Sequence, residues 1–474
     1  MDLMPNVWGE GQLLAFSGVD GVTRWAEPFV LSTGRRPGDL LVRLPVELSV
    51  ALDGLSQVRW SALLGDVLLG ETDGGAYRLA FADHHTLVGE VPDRVAVRVG
   101  ELVLSAAPCR VGRAGGAELV GWQSGRSWGL AVRTAQDGAL PALPVCLDLE
   151  ALCASRLAFV TALAVPEGLA PARVRLLRKA VSVMKVNVHS ANGTIRRRWS
   201  TPDRWPHRHM WLWDSAFHAI GMAHVDTALA EDEILAMLEA GADDGMLPHM
   251  VQADGKHSAI TQPPILAWAV LQALEQGGSL DWARQCVPLL ERYLDWDRAH
   301  RDRNGNHIPE WFIEGNPLCR CGESGLDNSS VYDRAVLLDA PDFAAFLYND
   351  YECLAAIAER LGDRALAERC HRAADPIAAA VNALLWQDSD GLYFHRDHQG
   401  AFVPVKAVSG FMPLFAGIPD ERQAAMLAAH LDNPATFGAP AMVPSEALDS
   451  GTFCKDMRSE ERRVGKECGL LCRS

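Results

Sequence analysis

The chain lacks the features that mark a membrane or exported protein. No stretch approaches about 18 uninterrupted apolar residues, the length that a transmembrane helix needs. The opening residues, MDLMPNVWGEG, lack the positive charges and the apolar run of a signal peptide. The 11 cysteines are scattered without a paired framework, as reduced thiols in a cytoplasm would be. We therefore expect a cytoplasmic protein without a membrane segment.

A basic face is also missing. Lys and Arg total 44 against 60 Asp and Glu, which gives a formal net charge of −16. Because binding to a nucleic-acid backbone needs clustered positive charge, this balance argues against a nucleic-acid partner. The chain is rich in tryptophan, with 14 residues. Many of these must be core, but flat rings also stack on sugars, so a small carbohydrate fits as a partner. The oligomeric state stays unknown.

The first 165 residues have the pattern of strands. Leu40–Leu52, Arg94–Ala106 and Gly129–Ala135 alternate apolar and polar residues, with Gly, Asp or Pro between the runs. A spacing of about 8–15 residues between such runs is typical of an antiparallel sandwich. Residues 1–165 are thus predicted to form an all-β domain, a β-sandwich. The Pro- and Gly-containing stretch Pro166–Ala172 is the predicted boundary.

From Arg173 onward the apolar residues recur three and four positions apart, which is the period of amphipathic helices. About nine such segments precede Met457, with polar loops between them. Strands in one block and helices in another predict an all-β domain followed by an all-α domain, not an alternating α/β fold. The spacing of the helices suggests an array of helical hairpins, although no sequence repeat is visible.

One polar segment between two predicted helices is unusually long. About forty residues follow the helix that ends near Arg301, whereas structureless connections beyond about 12–15 residues are uncommon and tend to be functional. The segment contains Trp311 and the stretch GESGLDNSS, with Glu323 and Asp327. A carboxyl group shielded by an indole has a raised pKa and suits general acid catalysis on a glycosidic bond. The same residue types also suit a solvated turn.

A second cluster surrounds a predicted helix start. RRRWSTPDRWPHRHMWLWDSAFHAIG (Arg196–Gly221) holds four tryptophans among several arginines and histidines. Asp214 and Ser215 alone could be N-cap residues, and Trp211 and Trp213 could be core. Those ordinary roles do not account for the density of indoles and cations, so we predict a functional site here.

Four short segments, in this order, resemble glycoside hydrolase family 63. They are WLWDSAFHA, the TQPP of Thr261–Pro264, GESGLDNSSVYD (Gly322–Asp333) and FGAPAMVPS (Phe437–Ser445). More narrowly they resemble its bacterial mannosylglycerate-hydrolase-like branch, which is akin to family 37 trehalases. The resemblance implies that residues 173–457 belong to an (α/α)6 barrel of twelve helices. It also implies hydrolysis of small α-linked glucosides or mannosides with inversion.

The resemblance assigns roles within these segments. Asp327, the aspartate of the ESG-hydrophobic-Asp motif, is the implied general acid. Positions matching those that line the family's sugar pocket are Trp211, Trp213, Asp214, Gln262, Glu323 and Asn328. No cofactor is expected to be required.

The stretch DRNGNHIPEW raises the question of calcium. It places oxygen ligands at alternating positions, Asp302, Asn304 and Asn306, as a calcium loop does. It lacks the glutamate of the twelfth position, where Ile313 stands. Some relatives in the family bind calcium in a comparable segment, so Ca²⁺ is one candidate occupant and an ordinary Asx-turn is the alternative.

The last residues have a different character. RSEERRVGKEC (Arg458–Cys468) is a sudden charged run without apolar periodicity, and it corresponds codon by codon to DNA that resembles a common sequencing adapter. A solvated tail is the alternative. We predict that 458–474 is an artefact and that the barrel is incomplete, with about nine of its twelve helices. The resemblance places the general-base glutamate beyond Met457, so the base is expected to be absent; Glu446 matches a structural position. Resequencing the source locus tests this.

Three functions stay open at this stage. An inverting α-glycosidase is favoured for the native gene product. A non-hydrolytic (α/α)6 sugar epimerase or lyase would need a histidine or tyrosine base rather than an acid in ESGLD. A carbohydrate-binding fragment with incomplete catalytic machinery is a serious rival for the chain as written. Polarimetry of the product separates the first from the second, and binding without turnover would support the third.

Overall fold

The computed structural model describes residues 7–134, 148–313, 320–333, 337–439 and 443–453. The predicted artefact at 458–474 lies outside these residues. The chain divides into two compact units. The first runs to Met210 and takes in Gln252–Gly255, and the second comprises Trp211–Val251 and the residues from Lys256 onward.

The first unit is built on two antiparallel sheets. Strands β1 to β13 are, in chain order, Leu13–Ala15, Val30–Thr33, Leu40–Leu44, Leu48–Asp53, Arg59–Leu63, Val67–Thr72, Gly75–Asp83, Thr86–Glu90, Ala96–Val99, Leu102–Val103, Cys109–Ala114, Ala117–Ser124 and Ser127–Thr134. One sheet has six strands in the order β1-β2-β3-β4-β9-β10. The other has seven, in the order β11-β12-β13-β8-β7-β6-β5.

A single apolar core joins the two sheets. In β4, Val50 and Leu52 are buried and their neighbours are more exposed, because successive side chains of a strand point to opposite faces. Core residues contributed by both sheets include Leu14, Leu31, Val42, Leu68, Leu79 and Leu130. The prediction of a strand-rich first part is confirmed.

The second part of the chain is helical, as predicted. Helices α1 to α10 of the described residues are Leu149–Thr161, Pro171–Asn187, Leu212–Ala223, Thr227–Leu238, Leu266–Glu275, Leu280–Arg301, Pro341–Leu361, Arg364–Ala380, Met412–Phe415 and Glu421–Asp432. The first two belong to the first unit and the other eight to the second. No helix in the described ranges has the length and apolar character that crossing a membrane requires.

Helix α1 lies within the stretch predicted to be all-β, and its sequence explains the omission. Its buried residues are Cys153, Arg156 and Val160. One of these three is an arginine, so the apolar period that predicts a helix is weak. The Asp148 side chain caps the helix by accepting a backbone N–H. The predicted boundary, Pro166–Ala172, covers the end of the α1–α2 connection and the first two residues of α2, inside the first unit.

Buried ion pairs attach these two helices to the sheets. Lys185 of α2 lies 2.5 Å from a carboxylate oxygen of Asp66 and 2.9 Å from one of Asp20. Arg156 of α1 pairs with Asp20 at 3.1 Å and donates to the Phe81 carbonyl at 3.0 Å. Because each charge has a partner, the cost of burying the cluster is offset.

A buried acid of helix α7, Asp350, supports the start of helix α5. Both oxygens of Asp350 accept backbone N–H groups at the start of α5, from Ala267 and Trp268, at 2.9 Å each. The first N–H groups of a helix have no partner within it, so this carboxylate satisfies them from outside. The start of α5 is therefore fixed just after the Thr261–Pro264 segment.

Candidate active site

The loop that carries the predicted general acid closes on itself. The Asp327 carbonyl accepts the N–H groups of Arg320 and Cys321, each at 3.0 Å. The Asn328 side-chain oxygen also accepts from the N–H of Arg320, at 3.3 Å. These bonds hold residues 320–328 as one compact turn and fix the backbone of Asp327 within it.

Gly325 brings this loop against the tryptophan-rich segment. Its φ is +69°, in the left-handed region that glycine tolerates. A β-carbon at this position would lie 2.3 Å from two ring atoms of Trp213, closer than any real contact. The absence of a side chain thus lets the indole lie directly on the loop. Two segments more than a hundred positions apart in the chain meet here.

The Thr261–Gln262 segment joins both of them. The backbone N–H of Trp213 donates to the side-chain oxygen of Gln262 at 3.2 Å. The Thr261 N–H donates to the Glu323 carboxylate, also at 3.2 Å. Three of the predicted site residues, Trp213, Gln262 and Glu323, are therefore linked through one short segment.

Glu323 is buried, with 1% of its surface exposed. Its carboxylate forms an ion pair with Arg301 at the end of α6, and that guanidinium lies 4.8 Å from the Trp296 ring centre. Burial raises the pKa of Glu323, and the Arg301 charge acts in the opposite direction. Through these bonds the buried Glu323 anchors the loop of residues 320–328. Asn328, which is fully buried, also anchors this loop, by accepting from the backbone N–H of Arg320.

Asp327 and Trp213 keep part of their surface open, unlike Glu323 and Asn328. Trp211 is also partly exposed, and its ring meets the edge of His249 with centres 4.8 Å apart. Asp214 lies in the first turn of α3, where the helix dipole favours a negative charge. The accessible groups of the site are thus an acid on a fixed loop and indoles beside it.

Trp311 lies on the core side of the loop that carries Asp327. It is fully buried and stacks on Phe343, with ring centres 4.0 Å apart, and its indole N–H donates to Asp342 at 3.0 Å. Trp311 and Cys321 belong to one apolar cluster, against which Leu326 packs. A second indole, that of Trp213, lies on the same loop at Gly325.

Helix α6 supplies supporting residues that sequence reasoning missed. The Tyr293 hydroxyl donates to the Gln262 carbonyl at 2.9 Å and lies 2.8 Å from the Thr261 hydroxyl. Asp297, one turn further on, is fully buried, and burial raises its pKa well above the usual range. With Arg301 these residues form a polar stripe with a spacing of four on a buried helix face. That stripe is the sequence signal that could have identified them.

Glu446, which directly follows the fourth family segment, also contacts the residues just after the loop. The Ser330 hydroxyl donates to Glu446 at 2.8 Å. The same carboxylate accepts from the hydroxyls of Ser450 and Thr452. Glu446 is fully buried by these partners, which suits the structural position that the resemblance assigned to it.

The predicted calcium ligands form a turn whose oxygens already accept hydrogen bonds. Asp302 accepts the N–H groups of Asn306 and His307, each at 3.0 Å. The side-chain oxygen of Asn304 accepts from the N–H of Asn306 at 3.0 Å, and both asparagine amides donate to Asp339. These hydrogen bonds are those of an Asx-turn, and Ca²⁺ at these oxygens stays a prediction. Within the described ranges no group of three His, Cys, Asp or Glu could hold a metal ion.

A partly exposed aspartate on a loop held by backbone hydrogen bonds, with an indole packed on that loop, provides the acid and the flat apolar face that a glycoside hydrolase site needs. The chain belongs to the family described as the mannosylglycerate hydrolase MGH1-like glycoside hydrolase domain, whose family model matches residues 207–463.

Characterised relatives agree with this family. A mannosylglycerate hydrolase of Thermus thermophilus is 27% identical over 330 residues, covering 53% of this chain and 76% of the relative. A glucosylglycerate hydrolase of Mycolicibacterium hassiacum is 32% identical over 162 residues, covering 27% of this chain and 34% of the relative. The crystal structure of a GH63 mannosylglycerate hydrolase from Thermus thermophilus in complex with glucose superimposes with a TM-score of 0.53 at 26% identity, covering 60% of this chain and 82% of that one.

Proposed function

We propose that this protein hydrolyses small α-linked mannosides or glucosides, such as those of glycerate, with inversion at the anomeric carbon. One observation carries the proposal. Asp327 lies on a loop that is held by hydrogen bonds to the Asp327 carbonyl and that packs against Trp213. The relatives named mannosylglycerate and glucosylglycerate hydrolases support the substrate class. A structure of one relative in complex with Tris and D-glycerate supports it further.

In this proposal each residue of the site has a separate role. Asp327 protonates the leaving oxygen, because it is the acid of the loop that stays partly open. The indoles of Trp211 and Trp213 offer flat faces to a sugar ring, and Asp214 and Gln262 offer oxygens to its hydroxyl groups. Glu323 and Asn328 are positioning residues that hold the loop.

We further propose that the helices of the second unit belong to an (α/α)6 barrel in a cytoplasmic enzyme. The family resemblance is the support for the barrel. The first unit is proposed to influence substrate selectivity rather than chemistry. Turnover and binding are both measured on the gene product expressed from its source locus.

The Asp327→Asn variant tests the acid. We expect kcat to fall by about 10²- to 10⁴-fold on α-mannosylglycerate, because protonation of the leaving oxygen is lost. An α-glycosyl fluoride needs little acid help and should lose much less. Asp281→Asn is the matched control, since the Asp281 side chain is 87% exposed and far from the loop in sequence. Equal losses on both substrates would show that Asp327 is not the acid.

The anomer released first tests inversion. Hydrolysis with inversion gives the β-anomer, which polarimetry or proton NMR detects before mutarotation. Initial release of the α-anomer would refute inversion. Saturable glucose binding by this gene product without cleavage of any α-glycoside would favour a binding protein. An epimerised or unsaturated product would favour an epimerase or lyase.

A further inference from the structure

Two arginines of the first unit, Arg204 and Arg208, have no carboxylate partner among the described residues. Arg204 is only 3% exposed. Its guanidinium donates to the Phe16 carbonyl at 2.8 Å and to a ring nitrogen of His189 at 2.8 Å. Arg208 is half-buried and donates to the Trp25 carbonyl at 2.6 Å. Among the described residues, no carboxylate forms an ion pair with either guanidinium.

The carboxylate of Glu27 does not neutralise these two arginines. The carboxylate of Glu27 is engaged by Arg24 at 3.2 Å and by His85 at 3.0 Å. Burial and repulsion by Arg208 lower the pKa of Arg204 to about 9, and burial also lowers the pKa of Arg208. Even so, both side chains keep their charge at neutral pH. A buried charge without a counter-ion is costly, because it has lost its hydration without gaining a partner.

His189 adds an unused donor to this cluster. The arginine N–H can only donate, so the Nε2 atom of His189 that meets Arg204 must be the acceptor. The ring proton therefore resides on Nδ1. That atom is buried and has no hydrogen-bond partner among the described residues. The ring is held in this orientation by stacking on Trp199, with centres 4.4 Å apart.

His84 lies in the same cluster as these two arginines and His189. Its Nε2 lies 2.9 Å from the carbonyls of both Arg24 and Glu27, so this nitrogen carries the proton. Its Nδ1 is a buried acceptor without a partner in the described part of the chain. The side chains of Arg204, Arg208, His84 and His189 line a narrow crevice whose free volume, about 10 Å³, is close to that needed by one water molecule.

We infer that this crevice, here called the arginine crevice, binds one compact monoanion through Arg204, Arg208 and the Nδ1–H of His189. Two guanidiniums and a ring N–H give charge-assisted donors for a single small anion, and the narrowness of the crevice excludes a sugar ring. The ligand is a halide or a single small carboxylate such as formate. Arg204 and Arg208 lie on the segment that ends at Met210, so the anion would fix that segment to the sheets of the first unit.

Chloride binding to the full chain tests this inference. Unfolding temperature is measured while sodium chloride replaces the sodium salt of a bulky sulfonate buffer at constant ionic strength, and ³⁵Cl line broadening reports binding directly. We expect a saturable rise in unfolding temperature, because a ligand that binds only the folded state stabilises it. Sodium formate should displace chloride from the same site, and its relative affinity distinguishes a halide site from a carboxylate site.

Arg208→Gln should weaken chloride binding by roughly tenfold or more, since it removes one charged donor. Arg369→Gln is the control, because Arg369 is an exposed arginine paired with Glu291. Should Arg208→Gln fail to fold, Arg208→Lys keeps the charge but loses the planar donor pair and should still weaken binding. Stabilisation no greater than that by the bulky salt would overturn the inference. So would equal binding in the Arg208 variants and the control.

Discussion

Substituting alanine for Gly325 asks how strictly the acid loop and Trp213 must fit. The added methyl group would lie 2.3 Å from two atoms of the indole, whereas carbon atoms at optimal separation are about 3.5–4.0 Å apart. Either the ring or the loop must therefore move by about 1 Å. Because the loop also carries Asp327, that movement changes the distance between the acid and any sugar held by the indole.

Two separate losses are expected from Gly325→Ala. The left-handed φ of +69° costs a residue with a β-carbon roughly 1–2 kcal/mol of unfolding free energy. A misplacement of about 1 Å near the reacting atoms costs about 100-fold in kcat/KM, which corresponds to about 2.7 kcal/mol in the activation barrier. The catalytic loss should thus be larger than a change in stability alone could produce.

Gly417→Ala separates these two effects. Gly417 has a φ of +72°, but a β-carbon there would meet no atom within 4 Å. Urea denaturation should show the loss from the left-handed φ in both variants and a further loss in Gly325→Ala from the contact with the indole. Steady-state kinetics and glucose titration should be affected only by Gly325→Ala. Unchanged kinetics and binding in Gly325→Ala would refute the contact between the loop and the indole.

Three further predictions use the same assays. Trp213→Ala should weaken glucose binding roughly tenfold while shifting the unfolding temperature little; large destabilisation with normal binding would make Trp213 a core residue. Lys185→Met should cost about 3–5 kcal/mol in urea denaturation, because Asp20 and Asp66 lose their cation; a neutral result would disprove the role of these pairs. Burial raises the pKa of Asp350 to about 7, so the folded state holds this proton more tightly than the unfolded state. Stability should fall as pH rises from about 4 to 7, and Asp350→Asn should remove that slope; an identical slope in the variant would contradict it.

The strand and helix blocks were predictable because their signals are local. Alternation in strands such as Leu48–Asp53 and the helical period after Arg173 follow from which face of each element is buried. Helix α1 escaped prediction because Arg156 occupies one of its three buried positions, and its charge is balanced by Asp20, far away in sequence. A buried ion pair is a long-range property, so the pattern of α1 alone could not reveal it.

The candidate site was predictable only in part for the same reason. The segments that carry Trp213, Gln262 and Glu323 could be recognised by resemblance, and the structure links them by hydrogen bonds. Arg301 is in the last turn of α6, where a cation is ordinary because it complements the helix dipole. Its ion pair with Glu323 depends on the path of a loop, which no periodicity specifies.

The arginine- and tryptophan-rich segment shows how one pattern can combine two roles. In the sequence, Arg204 and Arg208 stand with Trp211 and Trp213, and their density suggested a single sugar pocket. The chain instead changes unit at Met210. The arginines donate to carbonyls of the first unit, whereas the indoles begin α3 of the second unit. Composition within a short window therefore identified a functional segment, but the assignment of each residue to a site required knowing where the chain passes from one unit to the next.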